Sequence, residues 1–277
     1  MDKAVAALAL TLATSPALAA CNGEAAPCET DLGTYHIVLP ENAEGPIPAI
    51  LYLHGVGGRG ETATNNAAFT QAFLDRGYAV IGADGLDLPD PFGAGWFFLP
   101  QFEPPRDDIA FLTGIRDDAA TRFGTDPDAT ILAGFSAGGQ MANYAACWAP
   151  QEFAAFAPVA GGFWMPLPTA ADCNGPVRLF HAHGWRDGTV PLEGRTIPGR
   201  PDLVQGDVFD GLDLWREVNT CASDPPRSRR ATGDFWTRTW TDCAPGSALS
   251  FALYPGGHRV PQGWADMVVD WFETPPS

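Results

Sequence analysis

Four short apolar runs, spaced along the chain by stretches of helical character, constrain this sequence more than any other feature. Ile47 to Gly55, Tyr78 to Ala83, Ala129 to Ala133 and Val177 to Ala182 each have the length and apolar content of a buried strand. Helical stretches, residues 66–76 and 107–123 and the run from Gly139 to Trp148, lie between them. Strands separated by helices of about ten to fifteen residues need crossover connections. The expectation is therefore an α/β fold: a mostly parallel, doubly wound sheet with helices on both faces. Gly33 to Pro40 reads as an antiparallel edge strand. Residues 153–160, 235–241 and 249–254 add further strands, 207–218 a helix, and 263–272 a closing amphipathic helix. The chain has 277 residues, 45% of them hydrophobic, with no composition break, so a single domain over residues 21–277 is expected. In sheets of this kind the functional residues gather at the carboxyl ends of the strands.

One of those strand ends carries Gly134-Phe135-Ser136-Ala137-Gly138. A serine centred between glycines, closing a strand and opening a helix, occupies a turn so tight that only small residues fit on either side, and its hydroxyl stands clear of the sheet. The pentapeptide alone is a weak signal; its place between an apolar strand and a helix makes Ser136 a candidate nucleophile.

A serine is a poor nucleophile without a base to accept its proton and an acid to orient that base. Of the five histidines, His258 follows the last core strand on the glycine turn Tyr254-Pro255-Gly256-Gly257, and is the best-placed base. The acid is sought at another strand end between them, where Asp187 follows His181-Ala182-His183-Gly184 and precedes Val190-Pro191. Asp172 precedes that strand, and Asp207, Asp210 and Asp213 read as the cap and first turns of a helix. The turn His54-Gly55-Val56-Gly57-Gly58 offers donors for a developing oxyanion: the amides of Val56 and Ala137, with Gly57 as substitute for Val56. No G-K-[ST] follows this turn, which argues against a phosphate cradle. His54 is read as a buttress of the turn.

These motifs together, Leu53-His54-Gly55-Val56-Gly57-Gly58, Gly134 to Gly139, His183-Gly184 with Asp187 and Val190-Pro191, and Gly256-Gly257-His258, make the chain resemble the α/β-hydrolase superfamily. Within it, the chain looks like the secreted polyhydroxybutyrate depolymerase and feruloyl esterase group. The resemblance implies cofactor-free ester hydrolysis through an acyl-enzyme on hydroxyacyl or aromatic-acyl esters, with Ser136 as nucleophile, His258 as base then acid and Asp187 as its orienter. Acetyl-xylan or polyester hydrolysis by the same residues is the near alternative, and a non-catalytic binding module of the same fold the distant one. Polymer-degrading relatives often carry further substrate-binding domains. This chain ends about twenty residues after its histidine, which speaks against an insoluble polymer.

Residues 1–20 have the charge, apolar run and small-residue ending of a secretory signal, too short and Ala-rich for a membrane span. Leu18-Ala19-Ala20-Cys21 also resembles a lipoprotein box, yet lipidating Cys21 would strand Cys28. Six cysteines allow fifteen connectivities. In an exported chain, pairing of sequence neighbours is expected: Cys21 with Cys28, Cys147 with Cys173, Cys221 with Cys243. A secreted or periplasmic location follows as an expectation.

The formal charge is -17 and the only lysine is Lys3, so nucleic acid and anionic membranes are excluded as partners. Arg227, Arg229 and Arg230 beside Pro225-Pro226 read as a solvated loop, and Arg106-Asp107-Asp108 as a helix cap. No His/Cys/Asp grouping has metal-ligand spacing. Trp96, Trp164 and Trp185 lie near predicted strand ends and are candidates for the substrate cleft, against the plainer reading of each as packing. Oligomeric state is not legible.

Overall fold

The computed structural model describes residues 20–43, 45–88, 93–99, 102–222 and 228–274. All of the expected signal except Ala20, together with Pro225, Pro226 and Arg227, lies outside the described residues.

In chain order the elements are β1 (Cys28–Thr30), β2 (Gly33–Val38), β3 (Ile47–Leu53), α1 (Glu61–Asn65), α2 (Ala67–Leu74), β4 (Ala79–Ala83), β5 (Leu86–Leu88) and β6 (Gly93–Gly95). They continue with α3 (Asp108–Phe123), β7 (Thr125–Phe135), α4 (Ala137–Trp148), β8 (Ala155–Val159), β9 (Arg178–Gly184), β10 (Arg195–Ile197) and β11 (Arg200–Gln205). The last are α5 (Val208–Val218), β12 (Ser228–Thr232), β13 (Phe235–Trp240), β14 (Ala248–Tyr254) and α6 (Trp264–Glu273).

Ten strands form one sheet in the order β1-β2-β4-β3-β7-β8-β9-β14-β13-β12. The centre, from β4 through β14, is parallel, and both flanks are antiparallel. Both faces are covered, which is why the central strands read as unbroken apolar runs rather than as alternation. Successive residues of β3 show this directly. Leu51 and Leu53 join the core formed with Phe111 of α3, Met141 of α4 and Trp215 of α5, whereas Ile50 and Tyr52 join the core formed with Phe73 of α2 and Trp264 and Val268 of α6. Helix starts follow their side chains: Asp107 caps α3 by accepting from the Ala110 amide, and Asp207 caps α5 by accepting from Phe209 and Asp210.

Two sequence expectations are corrected at the sheet edges. The strand expected over 33–40 is β2, ending at Val38, and it is not an edge, because β1 pairs outside it. Arg229 and Arg230 do not sit in a loop: β12 is the opposite edge strand, with Arg229 registered against Arg238 and Arg230 against Thr237. The cysteines pair as expected, Cys21 with Cys28, Cys147 with Cys173 and Cys221 with Cys243.

Candidate active site

The strand β7 ends at Phe135 and α4 begins at Ala137, leaving Ser136 alone to make the reversal. Its φ is 56° and ψ -119°, a left-handed conformation that costs a side-chain-bearing residue on the order of 1–3 kcal/mol and that the surroundings must hold in place. The glycines around it are required by close approach. A Cβ on Gly134 would lie 2.4 Å from the Gly138 carbonyl, and one on Gly138 would lie 2.1 Å from the Leu53 oxygen. The Ser136 amide donates to Val159 O at 3.0 Å, and Ser136 O accepts from the Gln140 amide at 2.8 Å, fixing the turn to β8 and to α4.

His258 stands beyond β14 with its ring against Phe135, centroids 4.6 Å apart. Its Nε2 is 2.8 Å from Ser136 Oγ and its Nδ1 2.7 Å from Asp187 Oδ2. Residues scattered over β7, β9 and β14 thus meet in one hydrogen-bonded line at the carboxyl rim of the sheet. Asp187 is buried, and its other oxygen, Oδ1, accepts from the amides of Thr189 at 2.9 Å and Val190 at 2.8 Å. Burial opposes its ionisation, but the hydrogen bonds from His258, Val190 and Thr189 outweigh that and hold the carboxyl below the usual carboxylate range. An ionised Asp187 requires a proton on His258 Nδ1, so Nε2 is free to accept from the serine hydroxyl.

The turn after β3 is held by His54. Its Nδ1 is 2.7 Å from Gly55 O and so carries the proton, and Nε2 accepts from the Gly85 amide at 3.0 Å. Burial lowers the pKa of this ring. Among the described residues, the amides of Val56 and Ala137 have no hydrogen-bond partner. Gly57 is different: its amide donates to Ala94 O at 2.7 Å, so the expected substitute for Val56 is already engaged.

The three tryptophans part company. Trp96 is 4% exposed; its Nε1 donates to His54 O at 2.9 Å and its ring lies against the His54 imidazole. Its place is therefore behind the turn, as a prop, rather than in an open cleft. Trp164 is half-buried, its backbone amide donating to the Tyr144 hydroxyl at 3.1 Å and its strand segment bridged to Gln205. Trp185, two residues before Asp187, is half-buried against Trp236.

A buried pair that the sequence reading passed over lies under Asp187. His183 Nε2 faces Val190 O at 2.8 Å and must donate to it, so His183 Nδ1 is bare and accepts from His181 Nε2 at 3.1 Å. His183 is fully buried, with Nε2 3.7 Å from Asp187 Oδ2. Burial lowers both imidazoles; His181 falls well below its ordinary value, with His183 beside it adding to the shift, while Val190 O and Asp187 oppose the shift of His183. The signal was present in His181-Ala182-His183, whose spacing places both rings on one face of a strand. His36 lies elsewhere, its Nε2 3.2 Å from Asp84. Among the described residues, no group of three or more His, Cys, Asp or Glu side chains is placed to hold a metal ion.

A mostly parallel central sheet with a strained serine turn at a strand end is the α/β-hydrolase fold. The BD-FAE family model matches residues 35–157. Feruloyl esterase B of Piromyces equi is 24% identical over 215 residues, covering 76% of this chain and 39% of its own length. Feruloyl esterase C of Emericella nidulans is 28% identical over 226 residues, covering 81% and 75%. NocK of Nocardia uniformis subsp. tsuyamanensis, a relative with an esterase name, is 26% identical over 234 residues, 78% of this chain and 66% of its own. The chain thus spans 66% of NocK and 39% of the Piromyces protein. Among solved structures, an acetyl xylan esterase from Aspergillus awamori superposes with a TM-score of 0.64 at 16% identity, covering 87% of this chain and 93% of that one, which speaks to the fold. The chain has the α/β-hydrolase fold and is similar to the feruloyl esterases, and these relatives and structural neighbours are named as esterases.

Proposed function

We propose that this chain is a secreted serine esterase that cleaves carboxylic esters through an acyl-enzyme. The observation that carries the reading is the line from Ser136 Oγ to His258 Nε2, 2.8 Å, and from His258 Nδ1 to Asp187 Oδ2, 2.7 Å. In this reading Ser136 attacks the ester carbonyl as His258 takes its proton. His258 then gives that proton to the departing alcohol, and water repeats the sequence on the acyl-serine to release the acid. Asp187 orients the ring and stabilises the imidazolium. The free amides of Val56 and Ala137 receive the oxyanion. The relatives' names favour feruloyl or acetylxylan esters over hydroxybutyrate polymers, and three disulfides suit an oxidising compartment outside the cytosol.

The test is Ser136→Ala, assayed with 4-nitrophenyl acetate, methyl ferulate and hydroxybutyrate oligomers. Turnover of every ester that the wild type accepts should fall by about four orders of magnitude or more. The thermal melt should stay nearly unchanged, since alanine keeps the Cβ and the backbone hydrogen bonds that fix the turn. A variant as active as the wild type removes Ser136 from the chemistry, and preference for the oligomers over methyl ferulate moves the substrate to the depolymerase class.

A further inference from the structure

Trp185 and Trp236 meet beside the histidine segment, ring centroids 4.2 Å apart and planes inclined by 35°. Both are built into the backbone that carries His258. The Trp185 amide donates to Tyr254 O at 3.2 Å, the Arg186 amide to Gly256 O at 3.0 Å, and Trp236 sits across from Leu253 in the β13–β14 ladder. Phe235, one residue earlier, is buried against Tyr254, so strand alternation turns Trp236 to the other face, where 48% of it is exposed. A large indole held by a sheet yet left half in water is unusual for a packing residue, and rigid aromatic side chains of this kind anchor ligands.

We infer that Trp185 and Trp236 form a stacking platform for an uncharged sugar ring in the alcohol portion of the ester. The inference rests on the esterase reading above. Three arguments fix the occupant. The departing alcohol takes its proton from His258, so it must lie on the histidine's side of the reacting carbon, while the carbonyl oxygen points to Val56 and Ala137. Trp185 and Trp236 belong to the segments flanking that histidine. An indole face offers a flat apolar surface that matches the C–H face of a sugar ring and leaves its hydroxyls in water. The two indoles carry no charge to pair with an ionised sugar, and a chain of net charge -17 disfavours an anionic one, so a neutral glycoside suits the platform. This gives Trp185, a candidate for the substrate cleft, a place on the leaving-group side of that cleft.

The experiment uses pairs of esters that share an acyl group: methyl ferulate against a feruloylated arabinoxylo-oligosaccharide, and methyl acetate against an acetylated xylo-oligosaccharide. In the wild type the sugar ester is expected to have the higher kcat/KM. In Trp236→Ala that advantage should shrink by about tenfold, through KM, with methyl-ester turnover unchanged and with Trp236→Phe retaining most of it. Equal effects of Trp236→Ala on both members of a pair, or no preference in the wild type, overturn the platform while leaving the esterase intact. A loss confined to 4-nitrophenyl esters assigns the platform to aromatic alcohols and overturns the sugar. A wild type inactive on every ester removes the esterase reading, and the platform falls with it.

Discussion

His183 shows how far the order around Asp187 extends into the interior. Its Nε2–H holds Val190 O, and the Val190 amide holds Asp187 Oδ1, so the buried imidazole and the carboxylate grip the same residue from both of its peptide groups. His183→Ala leaves a buried carbonyl without its donor and lets the 187–190 turn relax. We expect kcat on small esters to fall by about ten- to a hundredfold with KM little changed, whereas His183→Gln, which keeps a donor toward Val190, should recover part of the loss. The neutral pair also sets a pH dependence of stability. His181 and His183 have lowered pKa values in the fold, so below about 6.5 the unfolded chain binds protons that the native state refuses, and stability drops as pH falls. Asp187 acts in the same direction at lower pH: its stabilisation is complete above the ordinary carboxylate range and is lost only in stronger acid, as pH falls through its depressed value. Thermal melts from pH 7 to pH 5 should therefore decline, and His181→Gln should flatten the slope; an unchanged slope in that variant would place the titration elsewhere.

At the scale of elements, the tightest joint is where α4 leaves the sheet. Gly138→Ala drives a methyl group into the Leu53 oxygen, and either the α4 start or the end of β3 must shift. A loss of about 2–4 kcal/mol is expected, read as a lowered Tm, together with lost activity because the Ser136 turn and the Val56 turn share this contact. The far end of α4 is tied by Cys147–Cys173 and by the Asn174 amide donating to Cys147 O at 2.8 Å. Replacing both cysteines by alanine should cost about 2–4 kcal/mol while leaving kcat at low temperature near wild type, since the bond lies at the opposite end of the helix from Ser136. The elements that the sequence declared plainly are those that earn their stability locally: α3 begins one residue after the expected start because Asp107 is its cap, and β3, β4 and β9 are apolar because both faces are buried. The hairpins β5–β6 and β10–β11 and the edge strands β1 and β12 were not legible. Each is short, polar or glycine-containing, and is strand only because a partner is there to pair with it. The same holds for the site. Ser136, Asp187 and His258 stood at readable strand ends, while the buried role of Trp96 and the engagement of Gly57 by Ala94 depend on the β5–β6 hairpin that the sequence concealed.

For the molecule as a whole, charge bears on which substrates the proposed esterase would admit. With -17 formal charges and no lysine beyond Lys3, the surface potential opposes anionic substrates and is indifferent to neutral ones. Raising ionic strength from low to physiological should increase kcat/KM for an ester with a free carboxylate by severalfold and leave methyl ferulate unchanged; equal responses would mean that local charges near the site dominate. No described helix is long and apolar enough to cross a membrane. The stitching of Trp185 to Tyr254 and of Arg186 to Gly256 has a consequence for motion. Because the loop of Asp187 is sewn to the loop of His258, thermal loosening of that corner carries imidazole and carboxylate along as a couple, and the gap it opens falls between them and the Ser136 hydroxyl. Breathing in this protein would thus part the imidazole from the serine hydroxyl long before it scrambles the orientation of the ring, and under the proposed function it is that contact which limits turnover.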